Sequence, residues 1–179
     1  MIDYLKKSLV TYASQILRLL LVVGSNIIIA RYLGPSGKGI LTLIMSFLSI
    51  VVMLGMVGLD EANVYFISSK KTSHRIVFTH ALYQSIVLSG LCLVIFVILR
   101  DWMLHNVLKG ITLQYFYILL VLIPFYSFNQ HTRTMLLGHK SIYSFNLYVI
   151  AQFLILFIMH LVFIPIYGLF GGVLSIIVT

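Results

Sequence analysis

Cysteine is nearly absent from this chain. Cys92 stands alone in the middle of an apolar run, so no intrachain disulfide can form and no metal-ligand spacing exists. Charge is almost as scarce: Asp, Glu, Lys and Arg make up 9% of the residues, where a soluble domain carries about 25%. With 61% of its 179 residues hydrophobic, the chain has more apolar surface than a soluble fold of this size can hide, so its solvent is lipid. Long loops are missing too, as are a glycine-rich phosphate loop and a nucleophile triad; nothing has the look of an enzyme, and no cofactor is implied. The formal charge of +8 is scattered over turns and helices, and without a basic patch nucleic acid is not an expected partner. Lys6-Lys7 followed by apolar residues superficially resembles a signal peptide. The run is too long for one, Arg18 interrupts it, and no small-residue cleavage site closes it.

What remains is a series of apolar runs. A helix needs about 20 residues to cross the hydrocarbon core, and runs of that kind cover 9–30, 40–67, 76–99, 113–133 and 145–164. A sixth run, 167–179, is too short to cross. The expectation is one all-α membrane domain over 1–179: a bundle of five full transmembrane helices and an incomplete sixth, from a chain that looks truncated. Between the first two runs, Ala30-Arg31-Tyr32-Leu33-Gly34-Pro35-Ser36-Gly37-Lys38-Gly39 predicts a tight turn on glycine and proline, with Arg31 and Tyr32 as interfacial anchors. Trp102, after Arg100-Asp101, is placed in the headgroup belt on the same side. Pro165, Gly168, Gly171 and Gly172 are expected to form the last outer turn. Lys6, Lys7, Lys70, Lys71, Arg75 and Lys140 fall on one side, against Arg31, Lys38, Arg100 and Lys109 on the other. The positive-inside rule then puts the N-terminus in the cytoplasm.

Polar residues in the runs are not randomly placed. At 100° per residue, Thr11, Ser14, Gln15, Arg18, Ser25 and Asn26 share one arc of the first run. Thr42, Ser46, Ser49, Asp60 and Asn63 share one of the second, while Glu61 points away from Asp60, so the two do not make a catalytic pair. In the fourth run Tyr115, Tyr126, Asn129, Gln130 and Arg133 share a face, and Pro124 is expected to kink the helix. His80 and Gln84 lie one turn apart in the third run. The fifth is the most apolar, with Gln152 and His160, and is expected to face lipid more than the others. Ionisable residues at a helix centre cost about 2.5–3.5 kcal/mol on the insertion scale and usually face a cavity or mark a path. Arg18 therefore either snorkels to the inner surface or faces a wet cavity. The fourth-run face suits either a sugar-phosphate ligand or a polar interhelical seam.

A first helix ending in Ile-Ala-Arg-Tyr-Leu-Gly-Pro-Ser-Gly-Lys-Gly, followed by a second with Gly55, Gly58, Leu59 and Glu61-Ala62, resembles the polysaccharide-unit flippases of Wzx type. These belong to the superfamily of the MATE drug exporters and the lipid II flippase. The resemblance implies two six-helix bundles around a central cavity, of which this chain supplies the N-terminal one and lacks the C-terminal one. The implied activity is moving undecaprenyl-diphosphate-linked oligosaccharide across the bacterial cytoplasmic membrane for surface polysaccharide (O-antigen, capsule or exopolysaccharide) synthesis. Membrane lipids and that lipid-linked substrate are the implied partners. By position, Arg18 matches the arginines that bind the lipid diphosphate, while Arg31 matches the Arg-Tyr-Leu-Gly pattern. With the polar stripes added, on which alone Arg133 rests, the substrate-binding candidates are Arg18, Gln15, Asn26, Asp60, Arg133 and Gln130. Three other readings compete: a MATE-like cation or drug antiporter, a membrane enzyme of glycan assembly, and a non-functional fragment. A cation site wants carboxylates in excess, and the chain has four Asp and Glu against twelve Lys and Arg. A glycan polymerase wants the long outer loop that is absent.

Overall fold

The computed structural model describes residues 2–56, 59–69, 74–138 and 142–178, which form helices and short connections with no strand among them. In order they are α1 (Ile2–Met56), α2 (Leu59–Ser68), α3 (His74–Ile98), α4 (Arg100–Asn106), α5 (Leu113–Gly138), α6 (Ile142–Tyr167) and α7 (Leu169–Ser175), closed by a 3-10 turn at Ile176–Val178. Among the described residues three helices are long and apolar enough to cross a membrane: Ser8–Met56, Arg75–Ile98 and Ile142–Tyr167. α5 is as long as α6 but is not one of the three. Its second half, from Tyr126 through Asn129, Gln130, His131 and Arg133, dilutes the apolar run.

The expected turn in Ala30–Gly39 contracts to a single residue. Gly34 alone leaves helical geometry, at φ +64° and ψ −174°, and Pro35 begins the next helical arm. Two local rules put the break there. A residue before proline is steered out of the α region, and proline fits the first turn of a helix because it has no N–H to satisfy. Gly37 and Gly39 sit inside the second arm. Nor does Pro165 end its helix: α6 runs through it to Tyr167, and Gly168, at φ +58°, makes the reversal into α7. Gly171 and Gly172 are inside α7 rather than in the turn. A side chain at Gly171 would collide with the Phe163 carbonyl, so α7 folds back tightly on the end of α6. α5 likewise continues through Pro124.

Each packed helix buries one stripe at helical spacing. On the second arm of α1 it is Leu41, Ile44, Leu48, Val52 and Met56. On α5 it runs Phe116, Leu119, Ile123, Ser127, His131, Thr134 and Gly138. On α6 it is Asn146, Val149, Gln152, Leu156, His160 and Ile164. One core joins Ile44, Leu48, Leu108, Phe116, Leu119, Ile123, Ile164 and Val173. Small residues set the close approaches, as membrane helix pairs generally require: a Cβ at Gly24 would lie 2.8 Å from Phe157 on α6, and one at Gly138 2.9 Å from Ile67 on α2.

The expectation that the fifth run faces lipid more than the others is corrected. α6 packs along α1 and receives α7, and 28% of its most apolar window is buried. α3 is the outlying helix, with 17% buried. α2 and α3 both lean on α5 but scarcely touch each other. The inner loops expected at Lys70-Lys71 and at His139-Lys140 lie outside the described residues, as does Gly58, and so do the side chains of Asp60 and Glu61.

Candidate functional site

The polar groups of the bundle converge on the first half of α6. Asn129 of α5 accepts hydrogen bonds on its Oδ1 from the Tyr148 hydroxyl and the Gln152 amide, both at 3.1 Å. Tyr148 and Gln152 are one turn apart on α6, so a single amide on α5 reads both, and the α5–α6 contact is pinned in register. One turn beyond Asn129, Arg133 is close enough for its charge to act on the Tyr148 hydroxyl. On the α1 side of the same helix, Asn146 donates from Nδ2 to the Thr11 hydroxyl at 3.2 Å, and the Arg18 guanidinium lies over the Phe153 ring, 5.4 Å from its centroid. α6 is thus flanked by two arginines, one from α1 and one from α5. Arg18 is held against an aromatic ring, that of Phe153.

Of the predicted residues, Arg18 and Arg133 are brought to this region. The others are not gathered around Arg18. Gln15 is exposed, and Asn26 is exposed and donates to the Val22 carbonyl of its own helix at 3.0 Å. Ser25 is buried, and Ser14 is buried with its hydroxyl on the Val10 carbonyl at 2.7 Å, so the arc read from the first run splits into a packed side and a free one. Gln130 is half-buried on α5. Asp60 belongs to α2, with its side chain among those not described. Of the residues expected as interfacial anchors, Arg31 and Tyr32 are exposed just before the break at Gly34, and Trp102 is exposed on α4. Beside Trp102, Arg100 donates from Nε to Asp101 at 2.9 Å, the one ion pair among the described residues. That contact holds the Asp101 carboxyl below the usual carboxylate range and raises the arginine further.

Sequence reasoning passed over Tyr148, Phe153, Asn146 and His131. The signal for Tyr148 was present, since it precedes Gln152 by one helical turn and aromatic and amide groups at that spacing face the same neighbour. Phe153 carried none, because a phenylalanine in an apolar helix is indistinguishable from its lipid-facing neighbours until the cation above it is seen.

Chemically, the arrangement offers two guanidinium groups and several amide and hydroxyl donors, with no carboxylate among the described side chains of α5 or α6. It can receive an anion. A guanidinium forks onto two oxygens of a phosphate or carboxylate, and a face contact to an aromatic ring leaves its in-plane N–H groups available for that purpose. No family model matches this chain, and no match to it was found among curated proteins or solved structures.

Proposed function

We propose that this chain is the N-terminal bundle of a flippase for undecaprenyl-diphosphate-linked oligosaccharides in the bacterial cytoplasmic membrane. The observation that carries the proposal is the pair of arginines, one from α1 and one from α5, on either side of α6, a helix that itself has no charged residue. A diphosphate brings about two negative charges; at an effective dielectric near 20, each guanidinium contact at 4 Å is worth about 4 kcal/mol before desolvation. That is enough to offset the ~2.5–3.5 kcal/mol of placing an arginine at the centre of a span.

On this reading the break at Gly34 divides α1 into two crossings, 8–33 and 35–56, each longer than the ~20 residues a crossing needs. α3, α5 and α6 then make three more, and α7 with its 3-10 turn begins a sixth. The N-terminus is cytoplasmic, and Arg31, Lys38, Trp102 and Lys109 face the periplasm. Supporting the anionic substrate over a cationic one is the excess of Lys and Arg over Asp and Glu, twelve to four. The polar face of α5 serves both roles open to it: Asn129 belongs to the interhelical seam, and Arg133, one turn away, is left for ligand.

The test is surface glycan in cells carrying each variant in the complete transporter, normalised to membrane abundance. Arg18→Ala is expected to abolish export at near-normal protein level. Arg18→Lys should restore only part of it, since an ammonium keeps the charge without the planar fork. Wild-type glycan from Arg18→Ala at equal abundance would overturn the assignment and leave Arg18 as a residue that merely snorkels.

A further inference from the structure

The first arm of α1 turns two amides outward. Gln15 and Asn26 are both exposed, and eleven residues make about three helical turns plus 20°, so they share one line of the helix. In a crossing at 8–33 each lies about 8 Å from the middle, well inside a hydrocarbon core about 30 Å thick. Gln15 makes no side-chain hydrogen bond among the described residues. Asn26 donates one amide proton to the Val22 carbonyl, which leaves its other proton and its Oδ1 open. A hydroxyl in such a place can satisfy itself on its own helix, as Ser14 does on Val10. The Gln15 amide does not, and facing acyl chains in that state is costly.

The residues around these amides have the spacing of a helix-pairing seam. Tyr12, Gln15, Leu19, Val22 and Asn26 follow at intervals of 3, 4, 3 and 4 residues, the heptad pattern of two helices crossing at about +20°. Tyr12 and Leu19 are 66% and 62% exposed, and Val22 is half-buried. Arg18, whose charge would repel its own copy, lies about 60° round the helix from Gln15, with its guanidinium over Phe153 of α6. We infer that this face pairs with the same face of a second copy of the chain. Two copies inserted the same way are related by a two-fold axis along the membrane normal, which sets each residue opposite its counterpart at equal depth. A primary amide both donates and accepts, so Gln15 bonds its counterpart and Asn26 bonds its own, two bonds at each level. Lipid supplies neither partner, and a second copy supplies both at matching depths. In helix pairs a single seam asparagine is enough to fix register and partner number. This inference rests on the first arm of α1 being a crossing and on nothing else in the transport reading.

The experiment mixes donor- and acceptor-labelled copies of the full chain in lipid vesicles and follows energy transfer as the protein is diluted in lipid. A reversible association of two chains is expected. Gln15→Leu should raise the dissociation constant about sevenfold, the equivalent of two interhelical bonds at ~0.6 kcal/mol each, and adding Asn26→Leu should bring the rise to about fiftyfold. Both changes are at exposed positions and favour helix at least as well as the residues they replace, and circular dichroism should show the fold intact. In a Cys92→Ser background, Leu19→Cys should form an interchain disulfide on mild oxidation. Leu20→Cys, as exposed at 63% but about 100° round the helix, should not. Monomer at every dilution, or association unchanged in the double variant, overturns the inference. Cross-linking of Leu20→Cys as readily as of Leu19→Cys overturns it too, by putting the contact on the apolar side of the helix.

Discussion

Replacing Gly34 and Gly39 by alanine makes the same chemical change five residues apart and should move stability in opposite directions. At both positions a new Cβ meets nothing within 4 Å, so packing contributes to neither. What differs is the backbone. Gly34 holds φ +64° with ψ −174°, a region open essentially to glycine, and another residue held there costs about 1–3 kcal/mol. Gly39 is helical, and alanine in a helix interior is favoured over glycine by roughly 0.5–1 kcal/mol. The gap between the two variants should therefore be about 1.5–4 kcal/mol. Unfolding in mixed micelles titrated with dodecyl sulfate, followed by circular dichroism, measures it: Gly34→Ala should unfold at lower detergent fraction than wild type and Gly39→Ala at a higher one. Two variants shifting the same way, or Gly34→Ala unfolding as wild type does, would refute a break confined to Gly34.

Asn129→Leu removes the acceptor shared by Tyr148 and Gln152. At ~0.6 kcal/mol for an average interhelical bond in a membrane, the two together should cost about 1 kcal/mol in the same assay; no loss would mean the seam does not hold α5 to α6. Gly171→Ala should be destabilising by about 1–3 kcal/mol, as overpacking is, because the atom it meets is the Phe163 backbone carbonyl; an unchanged midpoint would show that α7 is not packed so closely. Single cysteines at Ser36 and Ser69, both exposed, in a Cys92→Ser background should label from opposite sides of the membrane, and labelling of Ser69→Cys by an impermeant reagent in intact cells would reverse the orientation. Asp101 is held below the usual carboxylate range by the Arg100 hydrogen bond and charge, so the pair's contribution is present above the ordinary carboxylate pKa and lost as pH falls through the lowered one. Arg100→Gln should return the Asp101 titration, read by carboxyl-carbon NMR, to the ordinary range.

The helical class and the boundaries of α3 were legible in the sequence because a run of membrane length between polar ends has few other solutions. The buried faces were not. In water an apolar stripe betrays the core, but a helix in lipid is apolar on both sides, and Leu156, which is buried, reads the same as Ile155, which is exposed. The same cause misplaced α6: its high apolarity suggested contact with lipid, while Asn146, Gln152 and His160 were lying along the packed face. Arg18 and Arg133 were found because charge is conspicuous against hydrocarbon. What surrounds them was not, since Asn26 and Gln15 share the arc of Arg18 but not its contact, and Phe153 comes from a helix far along the chain.

The bond between Thr11 and Asn146 joins residues 135 apart, and that separation has a consequence for biogenesis. A ribosome adding about 5–20 residues per second needs roughly 7–27 s to go from one to the other. For that time the first helix is inserted without the helix that receives Thr11, Gly24 and Arg18, and its guanidinium must be accommodated by the insertion machinery, by headgroups or by an attendant protein. The vulnerable interval of this molecule is therefore during its synthesis, between the emergence of α1 and that of α6. A substitution that weakens the α1–α6 contact should show itself as a chain degraded before completion of the bundle rather than as a mature protein of lowered stability.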